Sequence, residues 1–346
     1  MALLCRFLLG NGNPTTKFIF MTSTELLPHL LSAVWDASRC CESIAAVFSE
    51  TDSQTKSDQS PVTVADYASQ ALIHYRLKEI TPDIGIVAEE GAEGLQDQPE
   101  LVERIASFTS LVHPEVNKDT LLDYLDHGKH PGGDGKFWTL DPIDGTKGYL
   151  RGGQYAIALA LVKSGRPILG VLGCPRYSLD TDTGVVFAGG EEIPAEVYTS
   201  EEGQPRRIRA CSESSNKDTR LCESVESAHT AHDLSEKVIR DLTISDDILR
   251  IDSQAKYAAV ALGEAGLYLR LPVKKGYREK IWDHAAGLAV IQAAGGRVTD
   301  LNGNDLDFSQ GETLKTNRGV IASNGTLHHA ALAALDAHTP EESKWG

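Results

Sequence analysis

The chain has 346 residues, 41% of them hydrophobic, with 31 glycines scattered along it. That length accommodates two packed domains, and the composition is that of an ordinary globular α/β protein and not of a disordered chain. Lysine and arginine number 33 against 49 acidic residues, a net charge of −16; this excludes nucleic-acid binding through a basic face and obliges any anionic ligand to be neutralised locally, by metal ions or a small Arg/Lys cluster.

No apolar run reaches the ~18–20 residues of a membrane span, so no membrane partner is expected. Cys5, Cys40, Cys41, Cys174, Cys211 and Cys222 form no CxxC pair and no regular framework. They read as free thiols of a reducing, cytoplasmic compartment, with a Cys211–Cys222 bridge the minor alternative. Residues 1–20 carry Arg6 and Lys17 and no acid, and Met21 offers a second start. They read as part of an N-terminal extension, residues 1–22, with an organellar transit peptide as the alternative.

In chain order, Leu26, Leu27, Leu30, Leu31, Val34, Trp35, Ile44 and Val47 have helical spacing over 24–48, with Pro28 in the first turn. Residues 50–60 form a polar loop. Thr63 is an N-cap for a helix over 64–79, with Asp66 in its first turn. Ile84–Ala88 is a short strand ending in Glu89-Glu90. A helix follows over 98–108, then a Gly-rich loop at 131–135. Phe137-Trp138-Thr139-Leu140 is a strand, and the chain turns at Pro142. Strands are expected over 155–162 and 168–173, a turn at Gly189-Gly190, and a linker over 191–206. Beyond it the pattern alternates: strands at 208–210 and 248–251, a helix at 255–263, a strand at 266–271, a buried helix at 283–294, strands at 297–300 and 319–322, and a helix at 326–337. This predicts an α+β domain over 23–206 and an α/β domain over 207–346, with a site between them.

Four acidic sites share one context, the end of a strand or the start of a helix: Asp66, Glu89, the pair Asp141/Asp144, and Asp283. Singly, each has a structural explanation, as a helix N-terminal acid or as surface charge. Asp141-Pro142-Ile143-Asp144-Gly145-Thr146 is harder to explain that way. Two carboxylates three apart, with Pro and Gly after an apolar strand, point hard oxygen ligands and backbone N–H groups at one spot, which suits a divalent cation beside a phosphate.

That segment, with Glu89-Glu90 upstream and Trp282-Asp283-His284-Ala285-Ala286-Gly287 downstream, resembles the lithium-sensitive, Mg²⁺-dependent phosphatases: inositol monophosphatases, inositol polyphosphate 1-phosphatases, fructose bisphosphatases and 3′(2′),5′-bisphosphate nucleotidases. Thr146-Lys147-Gly148-Tyr149-Leu150-Arg151-Gly152, Ser60–Ala68 and Asp252-Ser253-Gln254-Ala255-Lys256-Tyr257 are similar to the nucleotidase branch. The resemblance covers about 24–335 and is weakest over 180–245.

The resemblance implies a layered α-β-α-β-α sandwich of α/β class and two or three Mg²⁺ per site. Glu89, Asp141, Asp144, Asp283 and the Ile143 carbonyl would hold the ions. Asp66 would accept the Thr146 hydroxyl proton, so that Thr146 orients and deprotonates the attacking water. The Gly145 and Thr146 amides would grip the scissile phosphate. Ser253, Lys256, Arg270 and His229 (or, with a local insertion, His232) would receive the rest of a nucleotide bisphosphate, with Asp283 also facing the substrate. The implied reaction is hydrolysis of the 3′-phosphate of adenosine 3′,5′-bisphosphate, and of 3′-phosphoadenylyl sulfate, sensitive to Li⁺. An inositol phosphate phosphatase is the nearest alternative, and a non-catalytic nucleotide-binding or redox-sensing protein the more distant one. The expected assembly is a monomer or weak homodimer.

Overall fold

The structure, a computed structural model, describes residues 21–48, 52–56, 61–179, 184–210, 216–225, 232–272 and 276–339. The first helix, α1 (Ser23–Ala45), starts at a capping box in which Thr22 and Glu25 satisfy each other's backbone N–H groups. That start places Pro28 in the second turn and not the first, where it removes one helical donor. A hairpin of β1 (Ser53–Thr55) and β2 (Pro61–Thr63) occupies part of the expected 50–60 loop. It feeds α2 (Val64–Ile80), which is capped by Thr63 as expected.

Then follow β3 (Gly85–Ala88), α3 (Pro99–Val112), α4 (Leu121–Asp126), β4 (Lys136–Asp144), α5 (Thr146–Leu150), β5 (Ala156–Lys163) and β6 (Arg166–Cys174). The strand β4 does not stop before Pro142. It bulges between Asp141 and Asp144 and resumes pairing at Asp144–Ala156. The bulge accommodates a residue with no N–H, so the ladder bends without ending.

The expected turn and linker after residue 188 are also corrected. Gly189 and Gly190 end β7 (Val185–Gly190), and the polar segment beyond holds β8 (Glu196–Tyr198), which pairs with β9 (Arg206–Arg207). No strand forms at 208–210; Ala210 instead donates its N–H to the Ala294 carbonyl. The remaining elements are β10 (Leu221–Glu223), α6 (His232–Leu242), β11 (Leu249–Arg250), α7 (Ala255–Leu262), β12 (Leu267–Arg270), α8 (Ala285–Ala293), β13 (Arg297–Thr299), β14 (Val320–Ser323) and α9 (His328–His338).

The larger sheet runs β3-β4-β5-β6-β7-β8-β9, antiparallel except for the β3–β4 pair. The smaller runs β11-β10-β12-β14-β13, its first three strands parallel. Helices α1 and α2 cover one face of the larger sheet. Helices α7 and α8 lie between the two sheets, and α6 and α9 pack outside the smaller one. This is the expected α-β-α-β-α order. Sandwiched helices are apolar all round, and residues Ala285–Ile291 of α8 are all buried. Gly170 on β6 permits the contact, since a Cβ there would sit 2.4 Å from the Ala286 carbonyl oxygen.

Candidate active site

The strands β3 and β4 run parallel with Ala88 opposite Leu140, so Glu89, just past the end of β3, lies beside Asp141 of β4. The Glu89 N–H donates to the Leu140 carbonyl at 3.2 Å. Inside the β4 bulge, Asp141 Oδ1 accepts the Ile143 N–H at 3.1 Å. Helix α2 holds both strand ends. Ser69 Oγ donates to the Pro142 carbonyl at 2.9 Å, and the Gln70 amide donates to the Glu90 carbonyl at 2.6 Å while accepting its N–H at 3.1 Å.

Asp66, also on α2, has one oxygen in the helix cap. Its Oδ2 accepts the Thr63 N–H at 2.8 Å and the Thr63 hydroxyl at 2.6 Å. Its Oδ1 faces the Thr146 hydroxyl at 3.3 Å, and that hydroxyl is 3.2 Å from the Ile143 carbonyl. The structure thus brings Asp66 and Thr146 together, one carboxylate oxygen serving the cap and the other facing the hydroxyl. Gly145 precedes Thr146 with φ of 87°, which favours glycine, and a Cβ on it would also come a tight 3.1 Å from Ser253 Cβ.

Across the site, Asp144 Oδ2 accepts the Gln254 N–H at 2.6 Å. Burial pushes Asp141 well above the usual carboxylate range, helped by Glu89, Asp144 and Asp283. Burial also raises Asp144, opposed by Lys256 and Arg270. Asp283 is raised well above its usual value by burial and by Asp144. The four predicted carboxylates thus feel one another. No three of them lie with ligand atoms within 4.8 Å; among the described residues Glu279, Asp283 and His284 do. That trio is internally committed: Glu279 pairs with Arg270 at 3.2 Å and with His284 at 3.3 Å, and His284 Nδ1 meets the Tyr257 hydroxyl at 2.7 Å. Burial works against Glu279, yet Arg270 and His284 draw it down to about 2.

Of the residues expected to face the nucleotide, Ser253, Lys256 and Arg270 are described. Ser253 adopts φ of 69°, a strained value for a residue with a Cβ. Lys256 is only 3% exposed and donates to the Ile251 carbonyl at 3.2 Å and the Ser253 carbonyl at 2.7 Å. Burial lowers its pKa, against the pull of Asp144. Arg270 reaches Asp283 at 3.8 Å. Neither cation is solvated surface. His229 and the side chain of His232 lie outside the described residues.

The sequence matches the inositol monophosphatase family over residues 24–339. The chain belongs to the inositol monophosphatase family. It is 42% identical over 339 residues to a 3′(2′),5′-bisphosphate nucleotidase of Oryza sativa, covering 90% of this chain and 94% of the relative. It is 36% identical over 307 residues to a nucleotidase of that name from Schizosaccharomyces pombe, covering 83% and 87%. Among solved structures, an IMPase of Thermotoga maritima superposes with a TM-score of 0.63 at 21% identity over 90% of this chain and 96% of that one. That likeness concerns the fold alone.

Members of the inositol monophosphatase family generally use Mg²⁺. The donor set here fits that ion. Its atoms are hard oxygens, and their mutual repulsion inside a buried site is relieved by a cation. Their spread suits an ion that takes one or two carboxylates and keeps several waters.

The same repulsion predicts a pH dependence. Burial pushes Asp66 up to about 7 from 3.8 and Glu90 up to about 8 from 4.5. Between these limits the folded chain holds protons that the unfolded chain has lost, so stability falls as pH rises through the window. With chelator present, Tm should be higher at pH 7 than at pH 8.5; both values lie above the range in which buried His74 and His328, drawn down to about 4 by burial, act the other way. Added Mg²⁺ should raise Tm more at pH 8.5, where it displaces fewer protons. A Tm indifferent to pH, or equal Mg²⁺ increments at the two pH values, would refute this account.

Four residues of the site escape a motif-based reading. Lys56, after β1, pairs with Glu89 at 2.7 Å and with Glu90. Gln70, Gln254 and Glu279 hold backbone or ionic partners. Gln254 lies inside the Asp252–Tyr257 motif, and Glu279 lies four residues before Asp283. For Lys56 no local signal exists, because its partners are more than thirty positions away.

Among the described residues no helix is long and apolar enough to cross a membrane.

Proposed function

We propose that this chain hydrolyses the 3′-phosphate of adenosine 3′,5′-bisphosphate to AMP and phosphate, and also the 3′-phosphate of 3′-phosphoadenylyl sulfate. That it is a phosphatase follows from its family and from 36–42% identity to bisphosphate nucleotidases over most of its length. The observation carrying the mechanism is the Thr146 hydroxyl set between Asp66 and the Ile143 carbonyl, beside the carboxylate cluster.

Thr146 donates its proton to Asp66 and turns a lone pair toward water. The water proton passes to Thr146 as the Thr146 proton passes to Asp66, and the water oxygen attacks phosphorus in line. The 3′-oxygen departs with its bonding pair and takes a proton from solvent. Glu89, Asp141, Asp144, Asp283 and the Ile143 carbonyl would hold two or three Mg²⁺, which when bound supply Lewis-acid stabilisation of the phosphoryl oxygens. The Gly145 and Thr146 amides hold the scissile phosphate. Lys256, with two of its three N–H groups used, Arg270 and Ser253 receive the second phosphate and ribose; the family resemblance gives His229 a share in that role. A monomer or weak homodimer in the cytoplasm completes the reading.

Redox sensing finds no support in the described cysteines. Cys40, Cys41, Cys174 and Cys222 are buried and free. Burial pushes the Cys222 and Cys40 thiols up to about 12, so neither offers a thiolate. Cys211 lies outside the described residues.

The test is a panel of adenosine 3′,5′-bisphosphate, 3′-phosphoadenylyl sulfate, inositol 1-phosphate and inositol 1,4-bisphosphate with Mg²⁺. We expect kcat/KM for the two nucleotides to exceed that for the inositol phosphates by about a hundredfold or more, because unfilled buried polar groups penalise the smaller ligand. Li⁺ should inhibit. Release from the inositol phosphates and not from the nucleotides would reverse the assignment.

A further inference from the structure

Gln254 is 1% exposed, and every polar atom it owns is engaged. Its N–H donates to Asp144 Oδ2 at 2.6 Å, and its carbonyl accepts the Tyr257 N–H at 2.9 Å as α7 begins. Its side-chain Nε2 donates to the Trp282 carbonyl at 2.8 Å, and its Oε1 accepts the Gly287 N–H at 3.0 Å. The amide has one orientation that satisfies both partners, since a carbonyl can only accept and an N–H can only donate.

These bonds join three separate segments. Asp144 comes from the bulged end of β4 in the larger sheet. Trp282 is the residue before Asp283, and Gly287 lies in the first turn of α8. One residue therefore sets where the Asp283 backbone stands relative to the Asp144 carboxylate. The opposite wall shows the same device, where the Gln70 amide makes a paired contact with the backbone of Glu90, next to Glu89.

We propose that Gln254 is a positioning residue for cation binding: its side chain holds the Trp282–Asp283 turn at the separation from Asp144 at which the two carboxylates serve the same ion cluster. The proposal rests on the reading of Asp144 and Asp283 as Mg²⁺ ligands. It assigns Gln254 no contact with substrate. Glutamine meets the requirement at any pH. Methionine has the length without the polar atoms, an ionised glutamate cannot donate to the Trp282 carbonyl, and asparagine is one methylene short.

The experiment is calorimetric titration of the whole chain with Mg²⁺ alone, on wild type, Gln254→Met, Gln254→Asn, Asp283→Asn and Gln254→Met/Asp283→Asn. Residues that orient metal ligands typically change affinity by about 10- to 100-fold. We therefore expect Gln254→Met and Gln254→Asn to bind Mg²⁺ about tenfold or more weakly. At saturating Mg²⁺, the KM for adenosine 3′,5′-bisphosphate should stay within about twofold of wild type, because the residue acts on the ligands and not on the nucleotide. In the Asp283→Asn background the Gln254→Met effect should shrink to about twofold or less, since the side chain acts through Asp283. A merely structural role lowers Tm in chelator without this coupling. Should Gln254→Met fail to fold, Gln254→Asn, which keeps an amide in the core, carries the comparison.

Wild-type affinity in both variants overturns the proposal, and so does an undiminished Gln254→Met effect in the Asp283→Asn background. Absence of any Mg²⁺ isotherm in wild type overturns the metal-site reading itself, and this proposal with it. The two failures are thereby distinguishable.

Discussion

Asp144→Asn is expected to lower kcat/KM for adenosine 3′,5′-bisphosphate by at least about a thousandfold, equivalent to about 4 kcal/mol of transition-state stabilisation. The substituted amide is isosteric. Its oxygen can keep the 2.6 Å bond from the Gln254 N–H, so the –NH₂ group turns toward the site. A hard anionic ligand is replaced by a donor that binds no Mg²⁺. The fold should not suffer. Burial raises the pKa of Asp144 and outweighs the opposing pull of Lys256, Arg270 and the Gln254 N–H, with Glu89 adding to the rise, and Asp144 in turn raises Asp141 and Asp283. Removing one charge from a crowd of like charges relieves repulsion. In chelator, Asp144→Asn should therefore melt at or above the wild-type temperature while turning over almost nothing. Steady-state phosphate release and thermal unfolding on the same preparation check both halves. Near-wild-type turnover would remove Asp144 from the ligand set, and a strongly lowered Tm would show its role to be structural. A stabilising, inactivating substitution is what a site strained for function predicts.

The acids of the candidate site were legible because hard-cation chemistry demands oxygen ligands where strands end or helices begin: apolar runs stop at Glu89 and Asp141, and Asp283 stands before an apolar helix, all visible locally. Asp66 was legible through Thr63, whose N-cap signature fixes the first turn of α2. The elements that were misread depend on partners far along the chain. Gly189 and Gly190 look like a turn, yet they lie in β7. A Cβ on Gly189 would meet Ala293 of α8 at 2.8 Å, and one on Gly190 would meet the Ile168 carbonyl at 2.3 Å. Glycine there records close packing and not a change of direction. The 191–206 segment reads as a linker because β8 has three residues and β9, the edge strand beside it, has two, both charged, which an edge tolerates. Gln254 and Gln70 bind backbone groups, which carry no sequence signal at all. That Lys256 and Arg270 face the nucleotide is an expectation from the resemblance alone; that their side chains are largely buried follows from the packing of α7 and β12, which the sequence does not display.

The pairing of Asp66 with Thr146 predicts non-additive kinetics. Asp66→Asn can keep the α2 cap, because its amide oxygen can accept the Thr63 N–H as the Asp66 carboxylate does at 2.8 Å. Its –NH₂ then faces Thr146, whose hydroxyl must accept from it and point its own proton at the Ile143 carbonyl, 3.2 Å away. No acceptor remains for a proton leaving Thr146. Thr146→Val removes the hydroxyl outright at nearly constant volume. Each single variant should lose about 10²–10⁴-fold in kcat, the range typical of a general base. The loss of stability in Asp66→Asn should stay near or below ~1 kcal/mol, as for a partly retained cap. If proton transfer runs through both groups, the second substitution has nothing left to remove, and the double variant should be no slower than the slower single one within a few-fold. Independent roles would instead multiply the two losses. Single-turnover phosphate release at saturating Mg²⁺ separates these outcomes, because it reads the chemical step without product release. Multiplicative losses would leave Asp66 as a helix cap and Thr146 as a separate phosphate contact, and the water would then need a different base.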